Sequence, residues 1–159
     1  MYRRILVPLE NSAYDVAILE HVRGLAKWCG ASIVLIHVAD GFAARNAGPL
    51  HLRESEEMRD DRAYLDLLCG DLRRDGMDAD CVLAGGDPSR EIVEAAHREG
   101  CDLIAMSTHG HRFVKDVIFG SVANEVRHST RVPVLLVRGG AGDQPQESEG
   151  AAARRLNPL

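Results

Sequence analysis

Ile5-Leu6-Val7-Pro8-Leu9 is followed by the polar turn Glu10-Asn11-Ser12, by a helical stretch, and by Ser32-Ile33-Val34-Leu35-Ile36-His37-Val38. Both apolar runs are short and continuous, the pattern of strands buried on both faces rather than strands with one wet side. Between them Ile18, Val22, Leu25 and Cys29 recur at spacings of four, three and four, which is one helical face. Ser12 with Asp15 three residues on has the form of a capping box, and Gly30 stops the helix. Strand, helix and strand in that order make a crossover unit of a parallel sheet.

The same alternation continues outward. Residues 39–50 hold two glycines and a proline with little periodicity and read as a loop. From about Leu52 to Arg74 the apolar positions Met58, Leu65, Leu68 and Leu72 mark a long amphipathic helix with a charged, solvated outer face. Residues 79–84 form a third strand. Asp87-Pro88 is an N-cap followed by proline at the first helical position, with Ile92, Ala95 and Ala96 as the buried face up to Gly100. Residues 102–106 are a fourth strand and Ser107 to Arg112 a polar loop. Gly120-Ser121 opens a last helix through Ser129, and residues 132–137 are the fifth strand. Pro133 cannot donate to a ladder, so that strand belongs at an edge or leaves its prolyl side unpaired. Five strands and four helices call for a doubly wound α/β fold with helices on both faces of a parallel sheet. Residues 1–138 form the domain, and the Gly-rich, polar residues 139–159 form a tail expected to be disordered.

Composition narrows the function. Hydrophobic residues make up 45% of the 159 and charged residues 27%, as in an ordinary globular domain. Acids exceed Lys plus Arg by 24 to 19, and aromatics are 4%, so neither the basic footprint nor the stacking platforms of a nucleic-acid binder are present. No apolar run has the length of a membrane span, and no signal peptide is expected, which makes the cytoplasm the expected compartment. Cys29, Cys69, Cys81 and Cys101 are scattered without ligand spacing and read as small apolar residues, with no metal site expected.

In a doubly wound sheet, ligands bind at the carboxyl ends of the strands where the order reverses. There is no G-x-G-x-x-G after the first strand, no phosphate loop of the G-x-x-x-x-G-K type and no G-x-S-x-G elbow, which disfavours a dinucleotide site, a P-loop nucleotidase and a hydrolase. A receiver domain fails too, since the third strand ends Leu83-Ala84-Gly85 without an aspartate. What remains is Gly110, nine residues, then Gly120-Ser121, between a fourth strand and a final helix. Backbone N–H groups at a helix start hold anions, and glycine admits a phosphate closely.

From Ile5-Leu6-Val7-Pro8, through Leu35-Ile36-His37-Val38, to Met106-Ser107-Thr108-His109-Gly110, Gly120-Ser121-Val122-Ala123 and Val132-Pro133-Val134-Leu135-Leu136-Val137, the chain resembles the universal stress protein family. The family's nucleotide-binding branch carries G-x2-G-x9-G-[ST]. Here Ser107 stands for the first glycine, and Glu10 for the usual aspartate after the first strand. The resemblance implies an adenine nucleotide alpha hydrolase-like, Rossmann-like sheet of order 3-2-1-4-5 and a site for ATP, with Mg2+, or for ADP or AMP. It implies Glu10 at the ribose hydroxyls with Pro8 shaping the turn, and the Val38 backbone at the adenine. Met106 and Ser107 would line the base and ribose. Gly110, His111, Arg112, Gly120, Ser121, Val122 and Ala123 would reach the phosphates. It also implies a homodimer paired through the fifth strand, Val132 to Val137. The expected function is a nucleotide-holding module of the stress response. A slow ATP hydrolase and a nucleotide-free dimeric interaction protein stand as alternatives. His37, inside an apolar strand, reads as a structural histidine with its hydrogen bonds satisfied.

Overall fold

A computed structural model describes residues 1–39, 56–109 and 118–139. Five strands, β1 (Arg4–Leu9), β2 (Ser32–Ala39), β3 (Ala79–Gly85), β4 (Leu103–His109) and β5 (Val134–Gly139), form one parallel sheet of order 3-2-1-4-5. The helices are α1 (Asp15–Cys29), α2 (Glu56–Arg74), α3 (Pro88–Arg98) and α4 (Ile118–Ser129). The doubly wound α/β reading holds.

The sheet separates two cores. On one face Ile5, Val7, Leu9, Leu103 and Ala105 pack against Ile18 and Val22 of α1 and Leu65, Cys69 and Leu72 of α2. On the other, Leu6, Val34, Ile36, Ile104 and Met106 pack against Ile92, Ala95 and Ala96 of α3 and Val122, Ala123 and Val126 of α4. Alternate residues of the same strand therefore serve opposite faces, which is why the strands read as unbroken apolar runs. No helix among the described residues is long and apolar enough to cross a membrane.

Local signals act largely as the sequence implies. Gly30 ends α1 in the left-handed region at φ 66°, and Asp87 caps α3 by accepting the N–H of Arg90, with Pro88 next. Pro133 precedes β5, which is an edge strand, and its carbonyl accepts the N–H of Ile104 at 3.0 Å. The four cysteines are free thiols.

Several boundaries differ from expectation. β4 continues through Ser107, Thr108 and His109, read above as loop, because these pair with Val137, Arg138 and Gly139 of an equally extended β5. α4 begins at Ile118, so Gly120-Ser121 lies inside its first turn and does not open it. Ser12 and Asp15 realise only half of a capping box. The Asp15 carboxylate accepts the Ser12 N–H at 3.2 Å, but the Ser12 hydroxyl accepts from Tyr14, and the helix starts at Asp15. Residues 40–55, 110–117 and 140–159 lie outside the described residues, so the loop reading of residues 39–50 is tested only at Ala39, which ends β2. The tail expectation for 139–159 meets the described residues only at Gly139, the last residue of β5.

Candidate functional site

The strand order reverses between β1 and β4, and their ladder is short. β1 pairs with β2 over six positions, Arg4↔Ser32 to Leu9↔His37, but with β4 only at Ile5↔Leu103 and Leu6↔Ile104. The cause lies in the sequence. In a parallel sheet, successive residues turn their backbone groups to alternate neighbours. The Arg3 carbonyl takes the Ser32 N–H on the β2 side, and the Arg4 carbonyl takes the Asp102 N–H on the β4 side. Leu6 and then Pro8 therefore face β4, and Pro8 has no N–H to give. The ladder stops where the donor is missing, towards the carboxyl ends of β1 and β4, the place where sheets of this class bind ligands in a crevice between the strands.

The first turn beside this place is already saturated. The Asp15 carboxylate, 1% exposed, accepts the backbone N–H groups of Glu10 (3.0 Å), Asn11 (2.9 Å) and Ser12 (3.2 Å) and the hydroxyl of Tyr64 (2.7 Å). Three converging amides at the mouth of a helix are the donors that hold a phosphate in other sheets of this class. Here the chain's own carboxylate fills them. Burial and the Asp15 carboxylate push the Tyr64 phenol well above its ordinary range.

A second chain of contacts surrounds the same turn. Nδ1 of His37 donates to the Leu9 carbonyl at 2.9 Å, and Nε2 lies 3.2 Å from the Asp61 carboxylate. The other Asp61 oxygen accepts Nδ2 of Asn11 at 3.0 Å. Asp61 is buried, although the sequence places it in a solvated charged face of α2. His37 is half-buried, with Nδ1 on the Leu9 carbonyl and Nε2 facing the Asp61 carboxylate. Asn11 has φ 60°, a left-handed conformation that asparagine tolerates better than most side chains. Asp61, Tyr64 and Asn11 escape a sequence reading because their partners lie up to 50 residues away. The one local hint is the asparagine after a strand, a residue type suited to a left-handed turn.

The sequence-implied residues distribute as follows. Pro8 lies near the end of β1 and Glu10 directly after it, and Val38 is half-buried near the end of β2. Met106, Val122 and Ala123 are buried in the α3–α4 core, so their side chains support the wall and do not line an opening. Ser107 is 1% exposed, and its hydroxyl has no hydrogen-bond partner among the described residues. Gly120 is exposed in the first turn of α4, and a Cβ there would meet no described protein atom within 4 Å. Ser121 follows it. Gly24 and Gly70 are equally open, so what distinguishes Gly120 is its place in that first turn. Gly110, His111 and Arg112 lie outside the described residues.

Comparison with known proteins agrees with this architecture. Universal stress protein MJ0577 of Methanocaldococcus jannaschii is 27% identical over 158 residues, covering 87% of this chain and 96% of its own. Its solved structure superposes with a TM-score of 0.73 over 89% of this chain and 99% of that one, at 26% identity. A universal stress protein structure from Burkholderia pseudomallei gives a TM-score of 0.66 at 26% identity, covering 86% and 96% of the two chains. A more distant fold neighbour, 20% identical with a TM-score of 0.63 over 85% of this chain and 97% of its own, is the Archaeoglobus fulgidus protein solved in complex with dAMP. The Universal stress protein family profile matches residues 1–138, and by that match the chain belongs to the universal stress protein family.

Proposed function

We propose that this chain is an adenine-nucleotide-binding module, with ATP as its ligand, and that it works as a homodimer in the cytoplasm. The observation that carries the reading is Ser107. A buried hydroxyl without a partner among the described residues costs free energy unless something supplies one. It stands on β4 just past the point where Pro8 stops the ladder. Glu10, held at the other lip, accepts hydrogen bonds from the ribose hydroxyls. The Val38 backbone at the end of β2 meets the adenine. The phosphates go to the first turn of α4, where the leading backbone N–H groups have no acceptor within the helix and Gly120 leaves the approach open, with Ser121 next to it, because Asp15 has closed the first-turn alternative. A Mg2+ ion bound with the triphosphate would supply charge neutralisation there. The reading is supported by two fold neighbours, the Archaeoglobus fulgidus protein solved in complex with dAMP and a further universal stress protein solved in complex with cAMP. For assembly, β5 is an edge strand and Leu136 is 42% exposed on it, an apolar edge that a second copy would cover by antiparallel pairing.

Calorimetric titration with Mg-ATP of the wild type and of Gly120→Val tests the site. Binding by the wild type and none by a folded Gly120→Val variant is the expected outcome. Equal affinities would place the phosphates elsewhere. Release of phosphate during the titration would favour the slow hydrolase, and no heat from either protein would favour the nucleotide-free interaction protein.

A further inference from the structure

We propose that Asp61 is a positioning residue for the nucleotide site: from α2 it fixes the backbone on both sides of Glu10 and so aims that carboxylate at the sugar. This rests on the nucleotide reading above and goes beyond it, since Asp61 lies outside the site and 51 positions further along the chain than Glu10.

Glu10 sits between two anchored neighbours. Behind it, the Leu9 carbonyl is held by Nδ1 of His37. Ahead of it, the side chain of Asn11 is held by Asp61. Asp61 joins the two anchors, because its second oxygen faces Nε2 of His37 at 3.2 Å. The path Leu9–His37–Asp61–Asn11 thus closes a loop around one residue, and the Glu10 N–H is tied separately to Asp15. Each part of the device is costly by itself. A carboxylate is buried, a histidine is placed in a strand whose other residues after Ser32 are apolar, and a residue other than glycine is held at φ 60°. The fold could dispense with all three if Glu10 only helped α1 begin. Together they restrict the direction of a side chain that must meet two vicinal hydroxyls at hydrogen-bond distance, where small misplacements are expensive.

A purely structural role and a positioning role differ in what they do to sugar recognition. The test is titration of the full chain with ATP and with 2′,3′-dideoxy-ATP, which lacks the hydroxyls. The wild type is expected to prefer ATP by about tenfold, the worth of a good charge-assisted hydrogen bond. Asp61→Ala is expected to erase most of that preference by weakening ATP while leaving the dideoxy nucleotide unchanged. Asp61→Asn retains an acceptor for Asn11 and is expected to keep most of it. If Asp61→Ala does not fold, Asn11→Gly cuts the same tether from the other end, and glycine accepts the left-handed conformation without strain. Equal weakening of both nucleotides, or no weakening of either, in a folded variant overturns the positioning role while the nucleotide site stands. A wild type that binds neither nucleotide, or binds both alike, overturns the reading of Glu10 and this proposal with it.

Discussion

The hydroxyl of Tyr64 donates to the buried carboxylate of Asp15 at 2.7 Å, across 49 residues of sequence. That bond is the fourth on one carboxylate, and the other three come from consecutive backbone amides. α2 is thereby fastened to the turn that follows β1.

Asp15→Ala is expected to destabilise the protein by about 3 kcal/mol, because it leaves buried amides without an acceptor. Denaturant unfolding monitored by circular dichroism measures it. A loss below about 1 kcal/mol would mean that water replaces the carboxylate freely.

Tyr64→Phe is expected to cost about 1 kcal/mol near neutral pH. The phenol's range is raised in the fold, so its stabilisation is complete below the ordinary value of 10.0 and is lost as pH climbs above it. The wild-type advantage over Tyr64→Phe should therefore shrink above pH 10, and the ultraviolet titration of wild type should show a late tyrosinate step that the variant lacks.

Asp102 gives the opposite dependence at the amino end of the sheet. Its carboxylate accepts the N–H groups of Arg3 and Arg4, each at 3.0 Å. Burial alone pushes its carboxyl up, but the Arg4 and Arg3 amides outweigh this and hold it below the ordinary 3.8. A depressed carboxyl stabilises above its unfolded value and loses that contribution as pH falls through the folded one. Wild type should exceed Asp102→Asn in thermal stability at pH 7, and the gap should close as pH falls below the ordinary carboxyl value of 3.8.

Gly120→Ala should move stability and binding in opposite directions. The glycine lies in a helix at no special φ and fills no packing role, so alanine is expected to add up to about 1 kcal/mol of stability. The methyl group is also expected to weaken Mg-ATP. Thermal melts and titrations on one preparation check both, and a gain in stability with unchanged affinity would count against phosphate at this turn.

Along β5, Leu135 and Leu136 should behave differently. Leu135 packs against the α1–α2 core, whereas Leu136 is 42% exposed. Leu136→Glu is expected to leave the fold intact and shift a dimer toward monomer in light scattering, while Leu135→Glu should impair folding itself. A wild type that is monomeric at micromolar concentration would rule out the paired edge.

The sheet was legible because doubly buried strands leave unbroken runs such as Ile33 to Ile36, and because Asp87-Pro88 and Gly30 punctuate helices by local chemistry. The ends nearest the site were less so. Ser107, Thr108 and His109 are polar yet stay in β4, since their pairing with β5 overrides the composition that makes them look like loop. Gly120-Ser121 imitates a helix start, but Ile118 and Phe119 already belong to α4. For the candidate site, the motif drew attention to Glu10, Ser107 and Gly120. It could not indicate Asp61 and Tyr64, whose charge and polarity suit an outer helix face until the tertiary fold brings Asn11 and Asp15 beneath them.

Pro8 has one more effect. The gap in the β1–β4 ladder is written into a covalent ring and not into packing, so no fluctuation of the empty protein can restore the missing bond. The strands cannot hydrogen-bond through Pro8, and a nucleotide bound there as proposed would have no bond to break at that position. Association should accordingly be a single second-order process, without a slow unimolecular opening step ahead of it.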